Sequence, residues 1–376
     1  MGAMPVSTEK KYVGIAHSTH ALARGADEKK QWKFAELIAE PRVRARWENV
    51  RRYFFLREST YDMTSRCNIR CEGCYYYEGE KQHAADNRDP EAWRALMRAE
   101  KARGITFVVL AGAEPSLVPE LCRVCFEEIP LGAFATNGLK KVPEGIGYKI
   151  HISVWGDDRT SARLRNAGDM LKRQIENYHD DPRAVFVYTF TPDNVDEAEA
   201  VTRLLALNGC NLTFNVFSAP VGYKGLLRHT SDSLDRSREM MIHLLRRYPR
   251  SVLYSCYNAV VHTHRLALND LFGCAYPRRN LATDIGLGRS FRQYRTDLRW
   301  ERRAACCVPD TDCDDCRHYA AGSAVVTARL FRHACDPPTF QSWLDYVDTY
   351  LAVWVNGYEK GDNLCNVLVP PPEAGS

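Results

Sequence analysis

Between residues 53 and 217 the chain alternates two hydrophobic rhythms. Short runs rich in β-branched and aromatic residues have the length and composition of strands: Tyr53 to Met63, Ile105 to Leu110, Ala133 to Thr136, Lys149 to Val154, Ala184 to Phe190 and Leu212 to Phe217. Between them, apolar residues recur every three or four positions over Pro90 to Arg103, Pro119 to Glu128, Thr160 to Tyr178 and Val195 to Leu207, which predicts helices. Strand followed by helix, repeated at a spacing of roughly thirty residues, is the signature of a parallel sheet. Right-handed crossovers curl such a sheet toward a barrel. The expected fold class is therefore α/β, a partial (β/α)6 TIM-like barrel, with its chemistry just beyond the C-terminal ends of the strands.

The flanks read differently. Residues 5–52 predict a mostly helical N-terminal extension with a basic cluster at Arg42, Arg44, Arg46, Arg51 and Arg52, ahead of a barrel at 53–230. Ser231 to Tyr248 carries an apolar stripe of Leu234, Met241 and Leu245 and predicts a helix leading out of the barrel. Residues 231–335 form a small cysteine-rich lobe with few long periodic segments, and 336–376 a C-terminal helix, Thr339 to Tyr358, and tail. His262 and His264 alternate as on a strand. Arg289, Arg292, Arg295, Arg299, Arg302 and Arg303 recur as on one side of a helix, a solvated face or a receiver of phosphate, carboxylate or acidic peptide.

Composition narrows the function. The 376 residues are 45% apolar, enough for a sizeable core. The 51 basic against 47 acidic side chains leave a net charge of +4, which makes no case for nucleic-acid binding. No run approaches the roughly 18 apolar residues of a membrane span, and the N-terminus lacks a signal-peptide core, so a cytoplasmic protein is expected. For such a protein the 14 cysteines point to metal ligation, redox work or burial rather than disulfides.

Three of them, Cys67, Cys71 and Cys74, follow the first predicted strand as C-x3-C-x2-C. Three thiolates at this spacing can hold three irons of a [4Fe–4S] cube and leave the fourth iron open. Structural zinc would want a fourth nearby ligand, and the first candidate is His83. The loop resembles that of radical S-adenosylmethionine (radical SAM) enzymes. The resemblance implies that the open iron chelates the amino and carboxylate groups of S-adenosylmethionine. It also implies that an electron, from a donor such as ferredoxin or flavodoxin, splits the cofactor into methionine and a 5′-deoxyadenosyl radical. Gly112, Ala113, Glu114 and Pro115, closing the second strand, are similar to the family's Gly-Gly-Glu-Pro segment that receives the methionine ammonium, with Ala113 in place of the second glycine. Tyr75 stands ready to pack on the cofactor, although Gly73 replaces the family's usual aromatic residue before the last cysteine. Asn137 and Ser153, at the third and fourth strand ends, occupy places where the family sets groups near the ribose or methionine carboxylate. Thr189, Thr191 and Asn194 follow on the fifth, and Asn215 lies on the sixth. Turn or capping roles are the alternative for each of these.

The late cysteines resemble, incompletely, the twitch and SPASM extensions of radical SAM enzymes and the C-terminal portion of adenosylhopane synthase and its relatives. A second iron–sulfur cluster is expected, with ligands drawn from Cys256, Cys274, Cys306, Cys307, Cys313 and Cys316, and zinc as the alternative metal. Cys122 and Cys125 read as buried apolar residues of a helix, and Cys335 or Cys365 as candidate hydrogen-atom donors. The expected function is a radical SAM enzyme modifying a small-molecule or lipid-precursor substrate. A peptide maturase is the rival within the class, and a non-catalytic zinc or iron–sulfur binding protein the rival outside it.

Overall fold

In the computed structural model, which describes residues 32–78, 85–278, 290–308 and 310–372, the alternating runs become β1 (Glu58–Asp62), β2 (Phe107–Ala111), β3 (Gly132–Thr136), β4 (Lys149–Val154), β5 (Ala184–Phe190) and β6 (Leu212–Val216). A further strand, β7 (Gln293–Tyr294), comes from the cysteine-rich region. All pair in parallel in the order β6-β5-β4-β3-β2-β1-β7, an α/β sheet curled as a partial barrel and not closed. β1 begins five residues later than its hydrophobic run because pairing begins there: the Arg57 carbonyl takes the Thr106 and Phe107 amides, while Tyr53 and Leu56 are spent in turns.

Three local expectations are corrected. The stretch Thr160 to Tyr178 is two helices, Asp158–Arg165 and Met170–Tyr178, broken by Asn166 and Asp169, both in the left-handed region that these residues tolerate best. His262 ends the helix Cys256–His262, which is capped by the Ser255 hydroxyl, so the histidines do not alternate on a strand. The arginine stripe is not helical. Arg292 and Arg295 flank β7, Arg295 donates its amide to the Arg299 carbonyl in a tight return, and Arg302 sits in a 3₁₀ turn, while Arg289 lies outside the described residues.

Alternation along the strands makes two cores. Outward residues such as Val108, Leu110, Phe134, Ile150, Phe186 and Phe214 pack against Trp93, Met97, Leu121, Ile175 and Leu205 of the crossover helices. Inward residues Phe107, Ala133 and Val185 instead meet the C-terminal helix Pro337–Trp354 and the helix Pro41–Arg51. That C-terminal helix is buried on nearly every side, including Asp345 and Asp348, whose carboxylates meet Arg46. Its Trp354 reaches the inner face of the sheet, 6.5 Å from the Phe107 ring and 4.5 Å from His151. Higher up, the inward positions turn small or polar: Thr60, Ala111, Ala135, Ser153, Thr189 and Asn215. Nothing large fills that end, and a cavity remains. Among the described residues no helix is long and apolar enough to cross a membrane.

Candidate active site

The cavity, about 260 Å³, opens at the C-terminal ends of the strands. Cys67, Cys71 and Cys74 all stand on its wall. Their loop is bent by Gly73, whose φ is +63° and where a Cβ would lie 2.7 Å from the Phe217 ring, so an aromatic residue there has no room. Arg165, itself buried, donates from Nε to Cys71 Sγ at 3.4 Å, and Asn137 Nδ2 lies 3.7 Å from Cys67 Sγ. Burial pushes the Cys67 thiol up and the Cys74 thiol up to about 11. His83 lies outside the described residues.

The β2 exit abuts this loop. Gly112 has φ +107°, and a Cβ there would meet the Met63 amide nitrogen at 2.8 Å. Ala113 donates its amide to the Thr64 carbonyl at 3.0 Å. Glu114 is buried and already engaged: Oε1 accepts from the Ser116 amide at 3.0 Å and from Thr136 Oγ1 at 2.7 Å, and Oε2 from the Asn137 amide at 2.8 Å. Its carboxylate joins the β2 and β3 exits while facing the cavity. The Gly112→Ala variant is expected to lose about 2 kcal/mol of stability, from the left-handed φ and the backbone clash together. Its urea midpoint should fall accordingly, whereas Ala113→Gly should leave the unfolding free energy within about 1 kcal/mol of wild type.

The other proposed contacts divide. Asn137, Ser153, Thr189, Asn215 and Tyr75 line the cavity. Asn137 Nδ2 also donates to Asn68 Oδ1 at 2.7 Å, and Asn215 Nδ2 to Thr189 Oγ1 at 3.3 Å. The Ser153 carbonyl accepts from Gln174 Nε2 at 2.8 Å and from Arg165 Nη1. Asn194 instead works as a brace, donating to the Trp155 and Thr189 carbonyls and accepting from the Thr191 amide.

Apart from Cys307, which the sequence offers as an auxiliary-metal ligand, the residues at the deep end of the cavity carry no motif. Glu58, His151, Cys307, His318, Tyr319 and Trp354 line it. Glu58 and His151 were discoverable by phase, since they share the inward side of their strands with Thr60 and Ser153. Burial raises the Glu58 carboxyl to about 7, against one hydrogen bond from Tyr276 Oη at 2.9 Å. Burial drives His151 and His318 down to about 3, so both are neutral. His151 Nε2 faces the Val353 carbonyl at 2.8 Å, which requires the proton there, and Nδ1 then accepts from Tyr319 Oη at 2.6 Å.

Behind this wall is a second, smaller hollow. Cys274, Cys306, Cys313 and Cys316 line it together with Thr311 and Arg278. Cys316 is pushed up by burial and by the charges of Cys306, Cys274 and Cys313 around it. Of the remaining proposed ligands, Cys307 faces the main cavity, and Cys256 lies apart, its Sγ 3.9 Å from the Asn366 carbonyl. Among the described residues no three His, Cys, Asp or Glu side chains are drawn together as around a single ion. Cys122 and Cys125 are buried, as their helix requires. Cys335 is exposed and Cys365 buried, and neither lines the cavity.

The Radical SAM superfamily model matches residues 61–230. Fe-coproporphyrin III synthase of Methanosarcina barkeri is 26% identical over 160 residues, which cover 39% of this chain and 40% of that protein. The match thus spans less than half of the relative's length. Among solved structures, Streptococcus suis SuiB bound to S-adenosylmethionine is 15% identical, with a TM-score of 0.48 over 77% of this chain and 69% of its own. The anSMEcpe structure with bound AdoMet and peptide is 11% identical, with a TM-score of 0.47 over 80% and 84%.

Proposed function

We propose, for a chain whose residues 61–230 make it a radical SAM enzyme, that Cys67, Cys71 and Cys74 hold its [4Fe–4S] cluster and that the cavity beneath them receives a small-molecule substrate. The observation that carries this is the sharing of one cavity by the cysteine loop, the Gly112 to Pro115 turn and the inward strand residues. The residues fit the group: three thiols face the same space, hydrogen-bond donors already point at two of them, and at Gly112 any side chain would collide with backbone. Bound there, the cluster and S-adenosylmethionine supply one electron and a carbon radical that abstracts hydrogen. The protein's own part is orientation and exclusion of water. Arg165 and Asn137 stabilise thiolate sulfur by charge-assisted and neutral hydrogen bonds. Tyr75, Thr189 and Asn215 bound the space next to the loop.

A compact substrate is favoured because Trp354 and Tyr319 shut the floor and the cavity of about 260 Å³ is shared with the cluster and S-adenosylmethionine. The second hollow supports an auxiliary metal site on Cys274, Cys306, Cys313 and Cys316, for iron–sulfur or zinc. Reduced by dithionite, or by flavodoxin or ferredoxin, the anaerobically reconstituted protein is expected to convert S-adenosylmethionine to 5′-deoxyadenosine. An intact, reducible cluster with bound cofactor and no such product, even with candidate substrates added, would overturn the reading. A Cys67→Ala, Cys71→Ala, Cys74→Ala triple variant should keep about four irons per chain if the second site is a cube, and about one zinc and no iron if it is structural zinc.

A further inference from the structure

We propose that the deep end of the cavity is a subsite for an alkylammonium group, with Glu58 as its counter-ion. The inference rests on taking this cavity as the substrate site, and it adds the class of substrate. Glu58 opens β1 on the inward side of the sheet, level with Phe107 of β2. One oxygen accepts from Tyr276 Oη at 2.9 Å, and among the described residues the carboxyl has no ion-pair partner. A carboxyl at a barrel floor is expensive to ionise unless a cation meets it, and left alone Glu58 holds its proton up to about pH 7.

The cavity supplies no such partner itself. Its one lysine or arginine among the lining residues is Arg165, at the other end and engaged by Cys71 Sγ and the Ser153 carbonyl. His151 has both ring nitrogens occupied and is neutral. His318 accepts the Ala320 amide on Nδ1, which leaves its proton on Nε2 and no charge. Tyr350 and Cys307, which also feel the Glu58 charge, are uncharged acids held protonated by burial. The wall near the carboxyl is aromatic. Trp354 and Tyr319 stack on each other 5.4 Å apart at the floor and bring no positive charge to the carboxyl. A carboxylate without a counter-ion, set among aromatic rings, is complementary to an organic cation and repels a carboxylate substrate.

The full chain, reconstituted anaerobically, can be tested with three matched probes: 2-phenylethylammonium, 2-phenylethanol and 3-phenylpropionate. Saturation-transfer NMR titrations should give the ammonium a dissociation constant at least tenfold below the alcohol's, with the propionate weakest. Glu58→Gln keeps the shape and an acceptor for Tyr276 and removes the charge, so the ammonium and alcohol constants should converge. Glu58→Asp should keep part of the preference. Equal binding of ammonium and alcohol by the wild type, or a preference unchanged in Glu58→Gln, would sink the proposal. S-adenosylmethionine binding and cleavage are read on the same sample. A protein that fails to cleave the cofactor yet shows the Glu58-dependent preference refutes the radical reading and leaves the subsite standing.

Discussion

Cys67→Ala is expected to cut 5′-deoxyadenosine formation by more than about a thousandfold, an increase of at least ~4 kcal/mol in the effective barrier. A cube anchored at three corners loses a third of its protein bonds when one thiolate is deleted, and the two that remain do not hold it against chelation or oxidation. Cys67 is also a sulfur toward which Asn137 Nδ2 points, so its loss removes a ligand and one of the two contacts from Asn137 to the loop. The fold should survive, because Cys67 is only partly buried and belongs to no hydrophobic cluster. Iron per chain, the broad visible absorbance of the reconstituted protein and product formation should therefore fall together while the far-ultraviolet dichroism stays put. Cys335→Ala, at an exposed position away from both hollows, serves as the control and should match wild type in all of them. Activity retained in Cys67→Ala alongside loss in Cys335→Ala would mean that the loop does not hold the catalytic metal.

How far the sequence revealed this site depends on how local each part is. Five of the six barrel strands were legible as short apolar runs, with the bounds of β4 and β5 matching to the residue, whereas β1, Glu58–Asp62, is mostly polar and was placed through the apolar run that leads into it. The cysteine loop and the Gly112 turn were legible because both are continuous segments at strand exits. The floor was not. Trp354 reaches it because the C-terminal helix packs on the inner face of the sheet, a contact more than 200 residues distant along the chain for His151 and Val353, while Tyr319 and Cys307 arrive from a separate helix and a loop. β7 escaped notice because two residues cannot establish a period. The late cysteines show the limit from the other side. Cys306 and Cys307 are neighbours in sequence and looked equivalent; their thiols meet in a side-chain hydrogen bond, yet Cys306 lines the second hollow and Cys307 the main cavity, a division that only the folded chain sets.

Glu58→Gln is expected to stabilise the protein, and to do so more as the pH rises. The folded-state carboxyl titrates at about 7 against an ordinary value of 4.5, so the native state binds the proton more tightly than the unfolded chain does. Below about pH 4.5 the group is neutral in both states and contributes no difference. Between 4.5 and 7 the unfolded chain ionises first, and the native state loses stability steadily. Above 7 the loss is complete, on the order of 3 kcal/mol, because each tenfold gain in proton affinity on folding corresponds to about 1.4 kcal/mol. Glutamine does not titrate, so urea unfolding of the cluster-free protein should show variant and wild type close together at pH 5 and the variant ahead by up to ~3 kcal/mol at pH 8. A difference that does not grow with pH would mean that Glu58 is solvated or paired in solution. A growing one marks a carboxyl that weakens the fold at neutral pH, as expected where the missing counter-charge arrives with a ligand.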